Sequence, residues 1–214
     1  MRTTGLRLAL SAGLLAVLFP AAARAEESAT KQIVEAKIHY CKDCHGQQGQ
    51  GFKGAYPIPR LAGQNLAYIQ AKADVILEHK RENITADTFM APVLASVDSK
   101  ARTEVYEHFS KLNPPPAFPG PKELAPAGKK IYEEGVAQDD VPPCAGCHGP
   151  DARGGGEIPR LAGQIYPYAV KVLTNWSVIN KERAREDGRV IKSAAHRLSP
   201  SQIEAVAAYI SNLN

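Results

Sequence analysis

The sequence predicts a mainly α-helical protein made of two copies of one domain, joined by a proline-rich linker. The heptad IPRLAGQ occurs at 58–64 and again, unchanged, at 158–164. A C-x-x-C-H pentapeptide precedes each copy, CKDCH at 41–45 and CAGCH at 144–148. Two copies separated by about one domain length indicate a duplicated domain. Alternating strand patterns are absent, and apolar residues recur with helical spacing at the ends of each half.

The first 25 residues have the pattern of a secretory signal peptide. Arg2 and Arg7 form a positive start, and a short apolar run follows at 8–18. Small residues at 23 and 25 mark a cleavage site before Glu26. The apolar run is shorter than the roughly 20 residues that a membrane span needs. We therefore expect an exported protein without a membrane span, working in a bacterial periplasm.

The charge balance gives no support for nucleic-acid binding. The full sequence has 26 basic and 22 acidic residues, a formal charge of +4. Removal of residues 1–25 takes away three arginines and no acids, which leaves a charge of +1. A nucleic-acid-binding surface requires a basic stripe, so we expect protein partners and no nucleic acid.

The first half is predicted to have a helix at each end. Apolar residues with roughly helical spacing lead into the first C-x-x-C-H: Ile33, Val34, Ala36, Ile38 and Tyr40. A second stripe precedes the prolines and consists of Ala101, Val105, Phe109 and Leu112. The second of these helices is expected to begin near Ser99.

The second half shows clear signals for where its helices start and stop. Pro126 opens a helix that should end near Gly135, because proline suits the first helical turn and glycine the end. The last helix has Ser199 as N-cap, Pro200 at N1 and Gln202 at N3, which is a capping box. Its buried face is predicted to contain Ile203, Val206, Ala207, Ile210 and Leu213.

The proline-rich segment NPPPAFPGP at 113–121 divides the two halves. Five prolines in nine positions cannot continue a helix, and they favour an extended, semi-rigid spacer. The predicted organisation is therefore a signal peptide at 1–25, a first domain at 26–112, the linker at 113–121 and a second domain at 122–214.

The two C-x-x-C-H motifs favour covalent attachment of haem. Two thiols one helical turn apart can add to both vinyl groups of one haem, and the histidine that follows can reach the iron. Disulfides are the default in an exported protein, but all four cysteines fall in these motifs. A structural zinc site needs four closed ligands, and a redox-active dithiol expects a βαβ context. Zinc and dithiol chemistry remain the weaker alternatives.

These features together resemble the diheme class I cytochromes c of the cytochrome c4 type. The resemblance covers essentially the whole mature length. It lies in CKDCHGQQGQG, CAGCHGPDARGGG, the two heptads, the linker and the closing LSPSQIEAVAAYISNL. It implies two class I cytochrome c domains, each wrapping one covalent haem c. It also implies electron transfer between periplasmic or membrane-bound redox partners, often towards a terminal oxidase.

The resemblance assigns the attachment residues. It makes Cys41 and Cys44 the haem-binding cysteines of the first domain, with His45 as the proximal iron ligand. In the second domain the same roles fall to the cysteines and histidine of CAGCH, which are Cys144, Cys147 and His148.

The heptads supply further expected contacts. The carbonyl groups of Pro59 and Pro159 are expected to accept a hydrogen bond from the second ring nitrogen of each proximal histidine, which orients the ring and raises its basicity. Arg60 and Arg160 are candidate partners of the haem propionates. The alternative is that both are ordinary surface arginines exposed to solvent.

Met90 is the candidate sixth ligand of the first haem. The resemblance implies that a methionine approaches the iron from the distal side, on a loop shortly before the last helix of the domain. Met90 occupies that place in TADTFMAPVLASVD. Its alternative is a core-filling role, which is common for methionine.

The second domain has no methionine for this role. Aligning Val97 with Leu198 puts Ile191 opposite Met90, and Met1 leaves with the signal peptide. His196 is a candidate, but it lies five residues beyond the methionine position and out of helical phase with it. Lys192 lies closer and would have to lose its proton. An iron that is five-coordinate or holds water is the remaining possibility, with Val190 and Ile191 beside it. The histidines at 39, 79 and 108 are expected to be surface residues.

Two functions of different classes follow from this. The first is a diheme electron carrier between a donor and an acceptor, such as a dehydrogenase and a membrane oxidase. The second is a haem enzyme or a sensor of small ligands that uses an open second haem, because distal polarity and access decide between these roles. No residue is expected to act as a catalytic acid, base or nucleophile.

Overall fold

The computed structural model describes residues 15–78, 84–178 and 197–214. Within these ranges the first half has four helices, α1 Leu15–His45, α2 Leu66–Leu77, α3 Ile84–Ala95 and α4 Ser99–Lys111. The described part of the second half has another four, α5 Ala125–Glu134, α6 Ala145–His148, α7 Tyr166–Val178 and α8 Pro200–Asn212. Short 3-10 turns lie at Lys122–Leu124 and Ala137–Asp139. In the described ranges β-structure is limited to three isolated bridges. The mainly α prediction is confirmed.

The core of the first half forms where α1 crosses α4. Ala101, Val105 and Phe109 are buried along α4, as the predicted stripe requires. On α1 the core-facing residues are Val34 and Ile38, with Cys41 after them. These positions are spaced by four and three residues, so they form one narrow stripe along the helix.

Part of the predicted apolar stripe on α1 is wrong. Ile33 is 52% exposed and Tyr40 is 51% exposed, and Ala36 is exposed as well. Each of these residues is adjacent to, or two positions from, a core-facing residue, and such neighbours point away from it on a helix. Helical spacing located the element correctly but overstated the width of its buried face.

Helix α1 runs without a break across the predicted cleavage site before Glu26. Removal of residues 1–25 would leave the part of α1 that carries Val34, Ile38 and the C-x-x-C-H motif. The signal peptide itself remains a prediction from sequence. Within the described ranges, none of the helices combines the length and apolar character that a membrane crossing requires.

A second small cluster forms between α2 and α3, with Tyr106 of α4 packed against it. Helices α2 and α3 pack on each other, and α2 also contacts α4. The cluster is built from Ala73 and Ile76 of α2 with Ala91 and Leu94 of α3. Met90 is partly buried against it. This cluster therefore fixes the position of Met90 on α3.

The helix boundaries predicted for the second half are confirmed. Helix α5 has its proline in the first turn and ends at Gly135, which has a φ of 75°. Both reciprocal hydrogen bonds of the capping box are present between Ser199 and Gln202 at the start of α8. The predicted face of α8 is buried, with Leu213 partly buried at its end. Further buried positions on α8 are Ala205, Ala208 and Ser211, because α8 packs on α5, on α7 and on the 3-10 turn at Lys122–Leu124.

The close approach of α5 to α8 depends on Gly128. A Cβ at this position would overlap the backbone carbonyl of Ala205. We expect Gly128→Ala to lower the free energy of unfolding of the second half by about 1–3 kcal/mol or more, as overpacking does. Chemical denaturation of the haem-loaded protein measures this change. Gly155→Ala is the matched control, because a Cβ at Gly155 meets nothing within 4 Å. Equal effects of the two substitutions would show that the α5–α8 contact does not depend on a glycine at position 128.

The proline-rich segment is held by contacts at both of its ends. Two of its carbonyl groups, those of Pro114 and Pro115, accept hydrogen bonds from Arg60. At the other end, Gly120 donates its N–H to Ser211 Oγ over 2.9 Å and accepts from Asn212 Nδ2 over 3.1 Å. The segment has no regular secondary structure and bends at Phe118, which has a φ of 53°. It is anchored to the first half by one residue and to α8 by two.

Candidate haem sites

The first C-x-x-C-H motif ends α1, and the second forms the short helix α6 with Cys144 as its N-cap. The two cysteines of each motif differ in exposure. Cys41 and Cys144 are partly buried, whereas Cys44 and Cys147 are exposed, and all four are free of disulfides. Burial raises the pKa of the Cys41 thiol and raises that of Cys144 to about 11. Each motif therefore has one sulfur facing the core and one at the surface.

The imidazole of His45 is held in one orientation by the first heptad. His45 is buried, with 5% of its surface exposed. Its Nδ1 lies 2.8 Å from the carbonyl oxygen of Pro59. A carbonyl oxygen can only accept, so Nδ1 carries the proton and Nε2 keeps its lone pair. Burial lowers the pKa of His45, and the bond to Pro59 opposes that shift. A neutral imidazole with Nε2 available is the form that binds a metal.

His148 repeats this geometry in the second half. Its Nδ1 lies 3.0 Å from the carbonyl oxygen of Pro159, and 5% of its surface is exposed. Burial lowers the pKa of His148, again against the hydrogen bond. The hydrogen bonds expected from the resemblance are thus present in both halves. Tyr132, which is fully buried, donates to the carbonyl oxygen of Gly149 over 2.6 Å and supports the loop after His148.

Arg60 is not a solvated surface residue. Only 3% of its surface is exposed, and its guanidinium donates to three backbone carbonyls, those of Ala62, Pro114 and Pro115. Burial, and next the charge of Arg160, lower the pKa of Arg60 to about 10. Arg60 therefore ties the linker to the first heptad, a role that sequence reasoning missed.

Arg160 is equally buried but is less fully hydrogen-bonded. It is 8% exposed, and its Nε donates to the carbonyl of Ala162 over 3.0 Å. Its Nη2 atom is buried and has no hydrogen-bond partner among the described residues. A buried guanidinium N–H without a partner is costly, and a carboxylate is its best acceptor. This orphaned donor fits a haem propionate. Because Arg60 and Arg160 are both buried, the alternative of solvated surface arginines is wrong for each.

The two heptads pair with each other across the molecule. Gln64 accepts from the backbone N–H of Arg160 over 2.7 Å and donates to its carbonyl over 3.0 Å. Gln164 forms the same two bonds with Arg60, at 2.8 Å and 3.2 Å. Gln64 and Gln164 are functional candidates that the sequence analysis missed. The exact repetition of the heptad, with glutamine as its last residue, was the available signal.

Met90 lies within helix α3 and not on the expected loop. It is partly buried against the cluster of α2 and α3, and Tyr106 of α4 packs against the same cluster. The hydroxyl of Tyr106 is buried without a hydrogen-bond partner among the described residues. Burial raises the pKa of Tyr106 to about 12. The cluster of α2 and α3 is therefore bordered by the thioether of Met90 and by the unpaired hydroxyl of Tyr106.

The histidine predictions have mixed outcomes. His39 is exposed, as predicted. His108 is half-buried, and its Nε2 is enclosed without a hydrogen-bond partner in the described ranges, so the surface prediction is wrong for His108. It lies on α4 one position before the buried Phe109, where helix packing covers part of the ring. His79 lies outside the described residues.

The segment expected to cover the second haem is also outside the described residues. It includes Val190, Ile191, Lys192 and His196. The zinc alternative has no support in the described ranges, where no group of three or more His, Cys, Asp or Glu side chains could hold a metal ion. The same described ranges contain no βαβ unit, which is the setting expected of a redox-active dithiol.

Comparison with known proteins agrees with this geometry. The Cytochrome c family model matches residues 125–214. The chain is 36% identical over 175 residues to cytochrome c-552 of Acidithiobacillus ferridurans, covering 81% of this chain and 73% of that protein. It is 30% identical over 197 residues to cytochrome c4 of Thiocapsa roseopersicina, covering 90% and 97%. The thiosulfate dehydrogenase electron acceptor of Stutzerimonas stutzeri strain A1501 is 29% identical over 177 residues, covering 81% and 78%.

A solved structure supports the two-domain architecture. The cytochrome c4 structure from Acidithiobacillus ferrooxidans is 34% identical and has a TM-score of 0.68, covering 81% of this chain and 98% of that one. The buried Nδ1-bonded histidines, the free cysteine pairs and the orphaned Arg160 donor all fit two covalently attached haem c groups. With two mainly helical domains in tandem, this chain belongs to the cytochrome c4 family of diheme, electron-carrying class I cytochromes c.

Proposed function

We propose that this protein carries electrons in the periplasm from a thiosulfate-oxidising dehydrogenase to a terminal oxidase in the membrane. The observation that carries the proposal is the matched pair of proximal sites, joined by direct hydrogen bonds between the two heptads. The donor is suggested by the relative that accepts electrons from thiosulfate dehydrogenase. The oxidase follows from the family resemblance, and the compartment from the predicted signal peptide at 1–25.

Each proposed attachment residue has a defined task. Cys41 and Cys44 bind one haem through thioether bonds, and Cys144 and Cys147 bind the other. His45 and His148 are the proximal ligands, fixed by the carbonyls of Pro59 and Pro159. When bound, each haem supplies one-electron exchange between ferric and ferrous iron.

The remaining proposed residues tune and enclose the haems. Met90 supplies the sixth ligand of the first iron. Arg160 pairs with a haem propionate through its orphaned Nη2. Arg60 is the equivalent partner in the first half, and its three backbone bonds also attach the linker. For the second iron, His196 is the candidate sixth ligand.

The proposed domain boundaries follow the helices and the linker. The first domain is 26–112 and ends just after α4. The linker is 113–121, and the second domain, 122–214, begins with the 3-10 turn at Lys122–Leu124. This division keeps each C-x-x-C-H motif with the heptad and the last helix that pack around it.

The exposed cysteines suggest where electrons enter and leave. Cys44 and Cys147 are the solvent-facing members of their pairs, so the edge of each haem beside them would lie near the surface. The near-neutral charge of the mature chain favours docking through local contacts around these edges, without a strong overall field.

The role of an electron carrier can be tested directly. The purified diheme protein should be reduced by thiosulfate dehydrogenase together with thiosulfate, and reoxidised by membranes that contain a terminal oxidase, as followed by haem absorbance. A protein that is reduced by dithionite but exchanges electrons with neither partner would contradict the proposal. Turnover of a small substrate or tight binding of a gas by the isolated protein would favour the alternative of an enzyme or sensor.

Haem attachment has its own test. We expect Cys41→Ser and Cys144→Ser each to weaken attachment in one domain only, because the two motifs belong to separate domains. A pyridine haemochrome assay on the denatured, reduced protein should show two haems in the unaltered protein. In each variant one haem should be lost or should keep only a single thioether. A protein with no haem and with bound zinc would overturn the assignment.

A further inference from the structure

The peptide group between Pro59 and Arg60 connects the two domains at a chemically sensitive place. Its carbonyl oxygen accepts from Nδ1 of His45 over 2.8 Å. Its N–H donates to Oε1 of Gln164, in the other domain, over 2.8 Å. The described residues contain no cis peptide bond. The C=O and N–H of a trans peptide point in opposite directions, so this unit lies between the proximal histidine and the glutamine.

The same arrangement occurs in the second domain. The carbonyl of Pro159 accepts from His148 over 3.0 Å, and the N–H of Arg160 donates to Gln64 over 2.7 Å. Each glutamine also donates to the arginine carbonyl that follows. Gln64 is 7% exposed, so water has little access to replace its bonds. The two chains of hydrogen bonds are therefore symmetric and run in opposite directions.

Hydrogen bonds in such a chain strengthen one another. An acceptor on the N–H side polarises the peptide and makes its carbonyl oxygen a better acceptor. A stronger bond from Nδ1–H raises the basicity of the metal-binding nitrogen. A more basic axial histidine stabilises ferric iron and lowers the reduction potential, since hydrogen bonding around axial ligands sets haem potentials.

We infer that each glutamine tunes the haem of the opposite domain, Gln164 acting on the first haem through His45 and Gln64 on the second through His148. The two glutamines are positioning residues, because each acts through a peptide group and a histidine. This inference rests on the proposed role of His45 and His148 as proximal ligands. It gives the repeated heptad a function beyond packing, which is to couple the redox properties of the two haems.

The decisive experiment compares Gln64→Leu with Gln164→Leu in the intact diheme protein. Redox titration gives the two reduction potentials. A Met90→His variant perturbs the NMR resonances of the first haem, and these resonances assign each potential to its domain. We expect a crossed pattern. Gln164→Leu should raise the potential of the first haem more than that of the second, and Gln64→Leu should do the reverse. The NMR signal of the Nδ1 proton should report a weaker hydrogen bond at the same histidine.

A loosened domain contact would produce a different result. It would shift both potentials equally in each variant, or would shift mainly the haem of the substituted domain, and either outcome would overturn the inference. Gln164→Glu keeps an oxygen acceptor for the N–H of Arg60, so the first potential should stay at or below the unaltered value. A Gln164→Glu protein that behaves like Gln164→Leu would also overturn it.

A smaller change at Gln164 covers the case in which the leucine variants fail to fold. Gln164→Asn keeps the amide but withdraws it by one methylene, so the first potential should again rise selectively. These outcomes are separate from the proposed electron-carrier function. An intact diheme protein that exchanges electrons with both partners, but lacks the crossed pattern, would overturn only the tuning inference.

Discussion

Met90→Ala is expected to remove sulfur ligation from the first haem and to lower its reduction potential. The thioether is a soft ligand that stabilises ferrous iron, and Met/His coordination raises the potential for this reason. Axial ligation moves haem potentials over a range of roughly 0.8 V. We therefore expect a decrease on the order of a few hundred millivolts, confined to one of the two haems.

The position of Met90 makes a matched control possible. Met90 and Leu94 both lie on α3 and contact the same small cluster. Loss of either side chain removes apolar packing, which for a buried Leu→Ala change costs about 2–5 kcal/mol. Only Met90 can supply a sulfur ligand. Met90→Ala should thus abolish the sulfur-to-iron band in the ferric absorption spectrum, whereas Leu94→Ala should destabilise the first domain and leave that band in place.

The opposite outcome would be equally clear. An unchanged ferric spectrum in Met90→Ala would assign Met90 to core packing, and the first haem would then use another ligand. The partly buried position of Met90 against the cluster of α2 and α3 is compatible with packing alone, so the spectrum is the measurement that distinguishes the two roles.

The features that could be predicted from sequence are those set by local chemistry. The capping box at Ser199 and Gln202 is specified within four residues, because both partners lie in the same turn of chain. The end of α5 follows from the freedom of Gly135 to adopt a φ of 75°. The hydrogen bonds from the proximal histidines to Pro59 and Pro159 came from the family resemblance, which the repeated heptads carried.

The features that sequence reasoning missed depend on contacts between distant residues. Gln64 and Arg160 are 96 residues apart and meet only when the two domains pack together. The burial of Arg60 depends on the linker carbonyls that fold back over it. The exposure of Ile33 and Tyr40 shows the same limit, because the width of a helix's buried face is set by its neighbours and not by its own apolar residues.

The two haems are expected to be unequal, the first with His/Met coordination and the higher potential. The full sequence contains two methionines, Met1 and Met90. After removal of the predicted signal peptide, a single methionine remains, and it cannot ligate two irons held in separate domains. The second haem should lack sulfur ligation, have the lower potential and bind small ligands such as carbon monoxide more readily, because the axial ligand controls both properties.

Optical and EPR spectra of the ferric protein measure both coordination states at once. Two sulfur-ligated haems in the unaltered protein would contradict the assignment of Met90 to the first domain. A low-spin second haem that becomes high-spin in His196→Ala would show that a histidine supplies the sixth ligand, and the open-site prediction would then be wrong.

Introducing a methionine at the position that the alignment pairs with Met90 is the strongest test. Ile191→Met should convert the second haem towards low-spin His/Met coordination, raise its potential and suppress carbon monoxide binding, since a thioether would then compete for the open position. Val190→Met tests the adjacent register of the same segment, and a gain in only one of the two variants identifies the residue that faces the iron. The first haem serves as the internal reference, because neither substitution changes its ligands. If neither methionine raises the lower potential, the low potential of the second haem is not caused by a missing sulfur ligand. The difference in potential between the two haems must then come from other groups around them.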